Sequence, residues 1–221
     1  MPLSGKAMLI TMMNVDAADE EGFNDWYDKE HLAERVGIDG FTEARRYQAV
    51  DAQPKYLNFY TTETFEVLDS PQYRKALANQ TERSLYYIER FRDGGRAIVR
   101  VSASHGQGRG STLYFAAIRP LGQDADALRT HLDEALRALI LEQEIISAHL
   151  VESDPQLSKP LTEAVPPPSA SDWYVMVEGT NSDAVRRHGR ALVGNTAHIP
   201  ADAVIAEGIY AHMWDLSRAE L

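Results

Sequence analysis

Apolar runs and amphipathic segments follow one another in the same order in both halves of the chain. Apolar or β-rich runs predict strands, and apolar residues three or four positions apart predict helices. In the first half the predicted strands cover residues 8–15, 41–50, 56–64 and 97–103. The predicted helices cover residues 16–36 and 71–91, the second with a break near Asn79. The resulting order is β-α-β-β-α-β.

The same order returns after a Gly-rich stretch. The predicted strands of the second half cover residues 113–118, 144–151, 172–178 and 204–214. Its predicted helices are a leucine-rich segment over 128–139 and a second segment over 182–192. We therefore expect a first unit at residues 1–103, a linker at 104–111, and a second unit at 112–221 with a long Pro-rich loop at 153–171.

Both predicted units leave one face of their sheet uncovered, because two helices cover only the other face. Two such faces bury each other when the sheets pack together around a barrel-like core. The pattern therefore predicts the α+β class, with tandem ferredoxin-like repeats that form an α+β barrel within one chain.

The charge of the chain narrows the classes of partner. It has 33 acidic and 22 basic residues and a net charge of −11, which repels phosphate backbones and anionic lipid surfaces. No apolar run has membrane-spanning length, and the first residues lack a signal-peptide pattern. We expect a cytoplasmic protein that binds neither nucleic acid nor membrane. The absence of Cys excludes disulfides and thiolate chemistry.

The first helix carries a cluster of aromatic and ionisable residues that the second unit lacks. On a helical wheel Glu30 falls beside Trp26 and Tyr27, and His31 follows Tyr27 by four residues. Aligned from their first strands, the second unit has Leu136 opposite His31. Because His31 titrates near neutral pH, it is the predicted proton shuttle, with Glu30 as its partner. Alternatively, the aromatic residues are core and the two polar groups lie at its edge.

Strand alternation adds polar and aromatic candidates. Along the third strand Asn58 and Tyr60 share one face, whereas Leu57 and Phe59 share the other. We expect the polar face to point into the barrel and the apolar face to point towards the helices. Such a cavity suits an aromatic or lactone-like ligand, and an internal hydrogen-bond network is the alternative. The predicted substrate-binding residues are Trp26, Tyr27, Asn58, Tyr60, His149, Tyr210 and His212.

Histidine spacing argues against a metal site. No two of the seven His residues have the i, i+4 spacing of a helical metal pair, and there is no His-Glu-x-x-His motif. We therefore predict neither a metal nor a cofactor. A haem ligand supplied by the second half is the alternative.

Two segments resemble motifs of a known family. Residues 26–31 read Trp-Tyr-Asp-Lys-Glu-His, and residues 40–47 read Gly-Phe-Thr-Glu-Ala-Arg-Arg-Tyr. Together with the topology of both halves, they resemble EthD-like proteins of the dimeric α+β barrel superfamily. The resemblance implies a fused barrel, in a superfamily that includes lactone isomerases, small monooxygenases, polyketide cyclases and haem enzymes. Arg45 and Arg46 alternate within the second segment, so at most one of them reaches the barrel interior as an anion clamp.

These features lead to one functional hypothesis and one alternative. The hypothesis is a cofactor-independent isomerase, cyclase or lyase that acts on a small aromatic-derived or lactone-type substrate, with His31 as proton shuttle. An oxygenase without a bound metal is a close variant. The alternative is a non-catalytic small-molecule-binding or accessory protein of a catabolic or biosynthetic pathway, with a ligand in the same cavity.

The Pro-rich loop has its own pattern. Leu157, Leu161 and Val165 recur every four residues, and the three prolines at 166–168 favour an extended conformation. Loops of this length are usually functional or disordered. We expect an ordered arm that serves either as a lid over the cavity or as a contact across a homodimer interface.

Overall fold

The computed structural model describes residues 3–120, 124–159, 165–194 and 198–221. Its eight strands close into one barrel in the order β1-β3-β2-β8-β5-β7-β6-β4, with antiparallel neighbours. The strands are β1 Ala7–Asn14, β2 Phe41–Asp51, β3 Tyr56–Thr62, β4 Arg92–Gly106, β5 Thr112–Ile118, β6 Ile145–Ser153, β7 Trp173–Gly179 and β8 Val204–Ser217. The predicted α+β barrel of two ferredoxin-like repeats is confirmed.

Helices cover the outside of this barrel. They are α1 Glu20–Trp26, α2 Leu32–Val36, α3 Pro71–Ala78, α4 Glu82–Ile88, α5 Ala125–Leu139, α6 Pro155–Ser158 and α7 Ser182–Gly194. A π-helical segment, Tyr27–His31, joins α1 to α2. Each of the helices α3 and α4 begins with its own cap, because Ser70 and Thr81 each accept a backbone N–H, and the Thr81 cap lies at the break between them. No described helix is long and apolar enough to cross a membrane.

Two strand pairings join the halves. Strand β2 pairs with β8, from Glu43 opposite Ser217 to Asp51 opposite Ile209. Strand β4 pairs with β6, from Val99 opposite Ser153 to Gly106 opposite Ser147. We call these pairings the two junctions. Each junction uses an outer strand from each four-stranded half, so the two sheets become one closed surface.

The third strand has the predicted alternation with its faces reversed. Leu57 and Phe59 belong to the apolar core inside the barrel. Tyr56 and Tyr60 pack instead with the rings of the first helix, outside the barrel. The face assignment was therefore wrong. The shared interior of the two halves takes the apolar side chains, while the hydroxyls on the outer face find hydrogen-bond partners under the helix.

Strand β4 is longer than its sequence suggests. It begins at Arg92, before the predicted start at residue 97, and it includes residues 104–106 of the expected linker. Pairing on both edges holds these residues in the strand, since Gly95 lies opposite Met12 of β1 and Gly106 opposite Ser147 of β6. The connection between the halves is correspondingly short, at residues 107–111.

The beginning of the Pro-rich loop is attached to the barrel wall. Ser158, at the end of α6, accepts the Ile98 N–H through Oγ at 2.9 Å. The Arg96 Nη1 donates to the Leu157 carbonyl oxygen at 2.6 Å. The described start of the loop therefore lies against β4, while Leu161 lies outside the described residues and the exposed Val165 contributes no anchor. The roles of lid and homodimer contact stay predictions.

Candidate functional site

A cavity of about 380 Å³ lies between the sheet of the first half and the helices that cover it. It is outside the barrel, on the face of β3 that carries Tyr60. Its walls are mostly apolar and aromatic. The lining residues include Leu9, Met13, Tyr27, His31, Arg35, Tyr60, Tyr73, Leu77, Gln80, Phe91, Arg96 and Ser158.

His31 enters this cavity from the π-helical segment. The wider π turn carries the Leu32 N–H to the Tyr27 carbonyl oxygen, and such turns are frequent at functional sites. The imidazole is 9% exposed, and its ring centroid lies 4.5 Å from that of Trp26 and 5.0 Å from that of Tyr27. Among the described residues its Nδ1 has no hydrogen-bond partner. The Glu34 Oε2 atom lies 3.9 Å from His31 Nδ1, too far for a hydrogen bond.

Burial sets the protonation state of His31. The apolar surroundings lower its pKa well below the ordinary value, and the positive charges of Arg35 and Arg46 lower it further. The imidazole is therefore neutral at physiological pH, so it can accept a proton or a hydrogen bond. A neutral imidazole is also what a general base requires.

Two tyrosine hydroxyls form a pair beside His31. Tyr27 Oη and Tyr60 Oη are 2.6 Å apart, and Tyr27 Oη lies 3.4 Å from Thr11 Oγ1. Burial raises the pKa of both tyrosines. Both hydroxyls therefore stay protonated at neutral pH, and the pair can offer a donor towards the cavity. The structure thus brings His31, Tyr27 and Tyr60 together outside the barrel, and their catalytic and substrate-binding roles stay predictions.

Asn58 and Arg46 support this wall from behind. The Arg46 guanidinium lies 4.3 Å from the centre of the Tyr27 ring and pairs with Asp28. Asn58 accepts from Arg46 Nε at 3.4 Å and donates to Thr11 Oγ1 at 3.3 Å. Asn58 is fully buried in this network and does not line the cavity. The geometry therefore does not support its predicted contact with substrate.

The predicted role of Glu30 also disagrees with its position. Its carboxylate accepts from Thr81 Oγ1 at 2.8 Å and lies 3.5 Å from Arg83 Nη1. With its side chain 29% exposed, Glu30 ties the first helix to α4 on the outside of the layer. It does not line the cavity, so the geometry does not support its predicted partnership with His31.

Trp26 forms the wall behind His31 and not the cavity surface itself. Its indole Nε1 donates to Ser84 Oγ at 3.2 Å, and its ring stacks on Tyr87 with centroids 5.2 Å apart. Trp26 is fully buried and is absent from the cavity lining. It therefore fixes the position of His31 by ring contact, instead of binding substrate as predicted.

The other three predicted residues lie inside the barrel. His149 is fully buried and shares a hydrogen bond of 3.0 Å with Ser104 Oγ. His212 Nε2 lies 3.4 Å from Asp215 Oδ1. Tyr210 donates to the Pro54 carbonyl oxygen at 3.0 Å, beside a smaller cavity of about 230 Å³ at one mouth of the barrel. None of the three lines the His31 cavity, because the sheet separates the two regions.

Neither Arg45 nor Arg46 is available as an anion clamp. Arg45 points into the barrel, where it donates to Glu43 Oε1 at 2.7 Å and to Glu178 Oε1 at 3.0 Å. Arg46 points to the helices and pairs with Asp28. The predicted alternation is confirmed, but carboxylates within the fold already neutralise both cations.

The sequence analysis missed Arg35. This residue on α2 is only 5% exposed and lines the cavity. Its Nη2 donates to Gln80 Oε1 at 3.4 Å, whereas its Nε and Nη1 have no partner among the described residues. The sequence could have indicated this position, because residues four apart on a helix share one face and Arg35 follows His31 by four residues.

The described residues contain no group of three or more His, Cys, Asp or Glu side chains that could hold a metal ion. One imidazole lines the cavity, and no described carboxylate does. The chemistry available there is therefore that of an imidazole, guanidinium groups and neutral hydroxyl and amide groups, including those of three tyrosines, on a largely apolar surface.

Comparisons with known proteins bear on the fold. No family model and no curated protein matches the chain. An anthrone oxidase-like protein of known structure is 12% identical, with a TM-score of 0.69 over 99% of this chain and 96% of its own. Candidate monooxygenases from Fusobacterium nucleatum and Lactobacillus acidophilus are both 8% identical, with TM-scores of 0.60 over 97% of this chain and 96% and 97% of theirs. These likenesses show the fold, and the EthD-like resemblance stays a prediction.

Proposed function

We propose that this protein is a small-molecule enzyme that uses His31 as a general base in the cavity under the first helix. One observation carries the proposal: a neutral, buried imidazole lines a largely apolar cavity beside a pair of tyrosine hydroxyls. Pockets of this size with a few convergent polar groups are the usual form of small-molecule sites. The alternative of a satisfied core histidine is disfavoured, because Nδ1 has no partner among the described residues.

The lining favours a small substrate with an aromatic-derived or lactone-type body. Tyr73 and Phe91 supply rings, and Leu9, Met13 and Leu77 supply aliphatic surface. Such walls bury apolar area and leave orientation to the few polar groups. We expect the body of the substrate to be apolar.

Proton transfer then follows from the arrangement. A C–H bond next to a substrate carbonyl breaks, its proton moves to the His31 imidazole, and its electron pair becomes an enolate. The Tyr27–Tyr60 hydroxyl pair donates a hydrogen bond to the enolate oxygen. Return of the proton to another carbon completes an isomerisation, whereas departure of a leaving group from the neighbouring carbon completes a lyase reaction. In a cyclase reaction the enolate carbon forms a bond to a second carbonyl carbon of the same substrate, whose C=O π bond breaks, and the resulting alkoxide takes the proton from His31. Neither route needs a bound cofactor.

An oxygenase without a metal is the second candidate. Its support is the names of the structural neighbours, an anthrone oxidase-like protein and two candidate monooxygenases. The same enolate or phenolate can reduce dioxygen, so that a CH₂ group and O₂ give a C=O group and water. His31 would take the first proton in both reactions.

One experiment separates these candidates. The protein is incubated in D₂O with a panel of aromatic ketones, anthrones and unsaturated lactones, with and without oxygen, and the products are followed by NMR. Isomerase or lyase chemistry gives turnover or deuterium exchange without oxygen, and oxygenase chemistry gives oxygen-dependent C=O formation. His31→Gln should abolish either activity, while His188→Gln on α7, distant from the cavity lining, should keep it. Ligand binding without turnover or exchange in any condition favours the accessory alternative.

A further inference from the structure

Arg35 is an unusual residue to find in an apolar cavity. Its side chain is almost fully buried, and a single long hydrogen bond to Gln80 is its one described contact of this kind. The Nε and Nη1 donors have no partner among the described residues. Glu34, the next residue along α2, interacts electrostatically with Arg35 but forms no salt bridge with it. A buried guanidinium without a directly bound counter-ion destabilises a folded protein, since the charge loses its hydration. An external anion would relieve that destabilisation.

The charge of the cavity lining points the same way. Arg96 lines the cavity as well, with its Nη1 bound to the Leu157 carbonyl oxygen. No described carboxylate lines the cavity, and no described carboxylate forms a salt bridge with Arg35 or Arg96. Elsewhere the fold neutralises its buried arginines internally, as it does Arg45 with Glu43 and Glu178. The cavity is therefore locally cationic in a protein whose net charge is −11.

We propose that Arg35 is the anion-binding residue of this cavity and that its ligand is a small carboxylate with an apolar aromatic or lactone-type body. The inference rests on the proposed function for the reaction, and it adds the class of substrate. The apolar walls hold the body, the guanidinium holds the carboxylate, and the fixed distance along the ligand presents one carbon to His31. Guanidinium–carboxylate hydrogen bonds are among the stronger ones because both partners are charged.

The test compares matched pairs of ligands by calorimetric titration. Benzoate, 2-naphthoate and anthracene-2-carboxylate are each measured against the corresponding neutral amide. At least one carboxylate should bind about tenfold or more tightly than its amide, as loss of a charged hydrogen bond implies. In Arg35→Met this preference should disappear, and in Arg35→Lys it should remain in part. Binding of no carboxylate, or equal binding of carboxylate and amide by the unaltered protein, overturns the proposal.

Thermal unfolding distinguishes anion binding from a purely structural role of Arg35. Arg35→Met removes a buried unpaired charge while keeping apolar volume, so the ligand-free variant should have a higher Tm than the unaltered protein. The binding carboxylate should raise the Tm of the unaltered protein and leave that of the variant unchanged. A lower Tm for the ligand-free variant would assign Arg35 to the fold and contradict the inference. Arg74→Gln, an exposed partner of Asp69 on α3, is the matched control and should change neither readout.

The outcome is separable from that of the proposed function. His31→Gln should retain the carboxylate preference while losing turnover. If the Arg35 dependence holds but His31→Gln keeps full turnover, the general-base proposal fails and the anion site stands. If His31 is required but carboxylates have no advantage, the general base stands and the substrate class is wrong.

Discussion

The two helix layers of the barrel share a topology and differ in what they enclose. In the second half α5 fills its layer with leucines at helical spacing, and Leu136, opposite His31 in the alignment, is fully buried. Helix α7 approaches the sheet so closely that a Cβ at Gly189 would lie 2.2 Å from Tyr114 Cδ1. In the first half the corresponding space is a cavity with an imidazole and a guanidinium on its walls.

This difference shows how one scaffold can provide both stability and a site. The filled layer gains burial of apolar area from each leucine. The open layer gives up that burial and also holds polar groups without partners, which costs stability. Substitutions in the filled layer should therefore affect the free energy of unfolding, whereas substitutions around the cavity should mainly affect ligand binding. Three of the four experiments below test this contrast, and the other tests the barrel interior that both halves share; they begin with the largest expected effect.

Leu136→Ala should have the largest effect on stability. It removes a fully buried side chain from the closely packed second layer, and such changes cost about 2–5 kcal/mol. His31→Ala should cost less, because the removed ring already borders a cavity. Urea unfolding of both variants measures the difference. Equal losses would mean that His31 contributes as much to the core as Leu136, which would contradict the contrast between a filled and an open layer.

Acid should destabilise the protein through its buried histidines. Burial lowers the pKa of His149 to about 3, with Arg45 contributing, so the unfolded state binds a proton that the folded state does not. The protein therefore has its full stability at pH values above the pKa of histidine in the unfolded chain, and it loses stability as the pH falls below that value. Between about pH 7.5 and pH 5 this single group should cost about 2 kcal/mol.

His149→Gln should remove that part of the pH dependence, measured as the change in unfolding free energy between the two pH values. His31→Leu should weaken the dependence in the same direction, because its pKa is also lowered. The charged and titratable groups that act on His149 are Glu178, Arg45 and His105, and both variants leave them in place. His188→Gln, on the outside of α7, should leave the pH dependence as it was. An unchanged slope in His149→Gln would refute the prediction.

The same substitution in each layer gives a direct comparison. Leu132→Phe overfills the second layer, where Leu132 is fully buried, and should cost about 1–3 kcal/mol. Leu77→Phe projects into the first-half cavity, where space is available, and should cost less than about 1 kcal/mol. Leu77→Phe should nevertheless abolish binding of the aromatic carboxylates. Thermal unfolding and calorimetric titration of the two variants measure both effects, and a reversed order of stabilities would contradict the model of one filled and one open layer.

Thr81→Ala should have a small effect on stability. Thr81 caps α4 and also donates to Glu30, and loss of a helix cap costs about 1 kcal/mol. Because this contact ties the first helix to α4, ligand should also dissociate faster from the variant. Stopped-flow dissociation of a bound carboxylate provides the measurement, with Asp124→Ala, which removes the cap of α5, as the control that should leave dissociation unchanged.

Much of this architecture follows from sequence pattern. The β-α-β-β-α-β order, the leucines of α5 and the break before Thr81 all follow from periodicity and capping, which are local properties. The two faces of β3 were interchanged for a non-local reason. Alternation shows that Asn58 and Leu57 face opposite ways, but the inward face is decided by the second half of the chain, whose apolar residues share the interior.

The site residues also divide into those that local sequence predicts and those that depend on the folded structure. His31 was found because its cluster is local in sequence, and Arg35 was within reach of the same spacing argument. Glu30 was misplaced because a helical wheel assumes a uniform α-helical turn. The π-helical segment that begins at Tyr27 shifts the angular position of the residues that follow, so Glu30 faces outwards while His31 remains inside. No propensity in this segment indicates a π turn.

The two junctions determine how the molecule can unfold locally. Each of the eight described strands has hydrogen-bonded neighbours on both sides, so no edge is offered to another chain, and exposed edges are a common origin of aggregation. Releasing one half from the other requires both junctions to open together, which would expose four strand edges at once. Backbone amides along β2–β8 and β4–β6 should therefore exchange with solvent at the rate of global unfolding, and the two halves should unfold as a single cooperative unit.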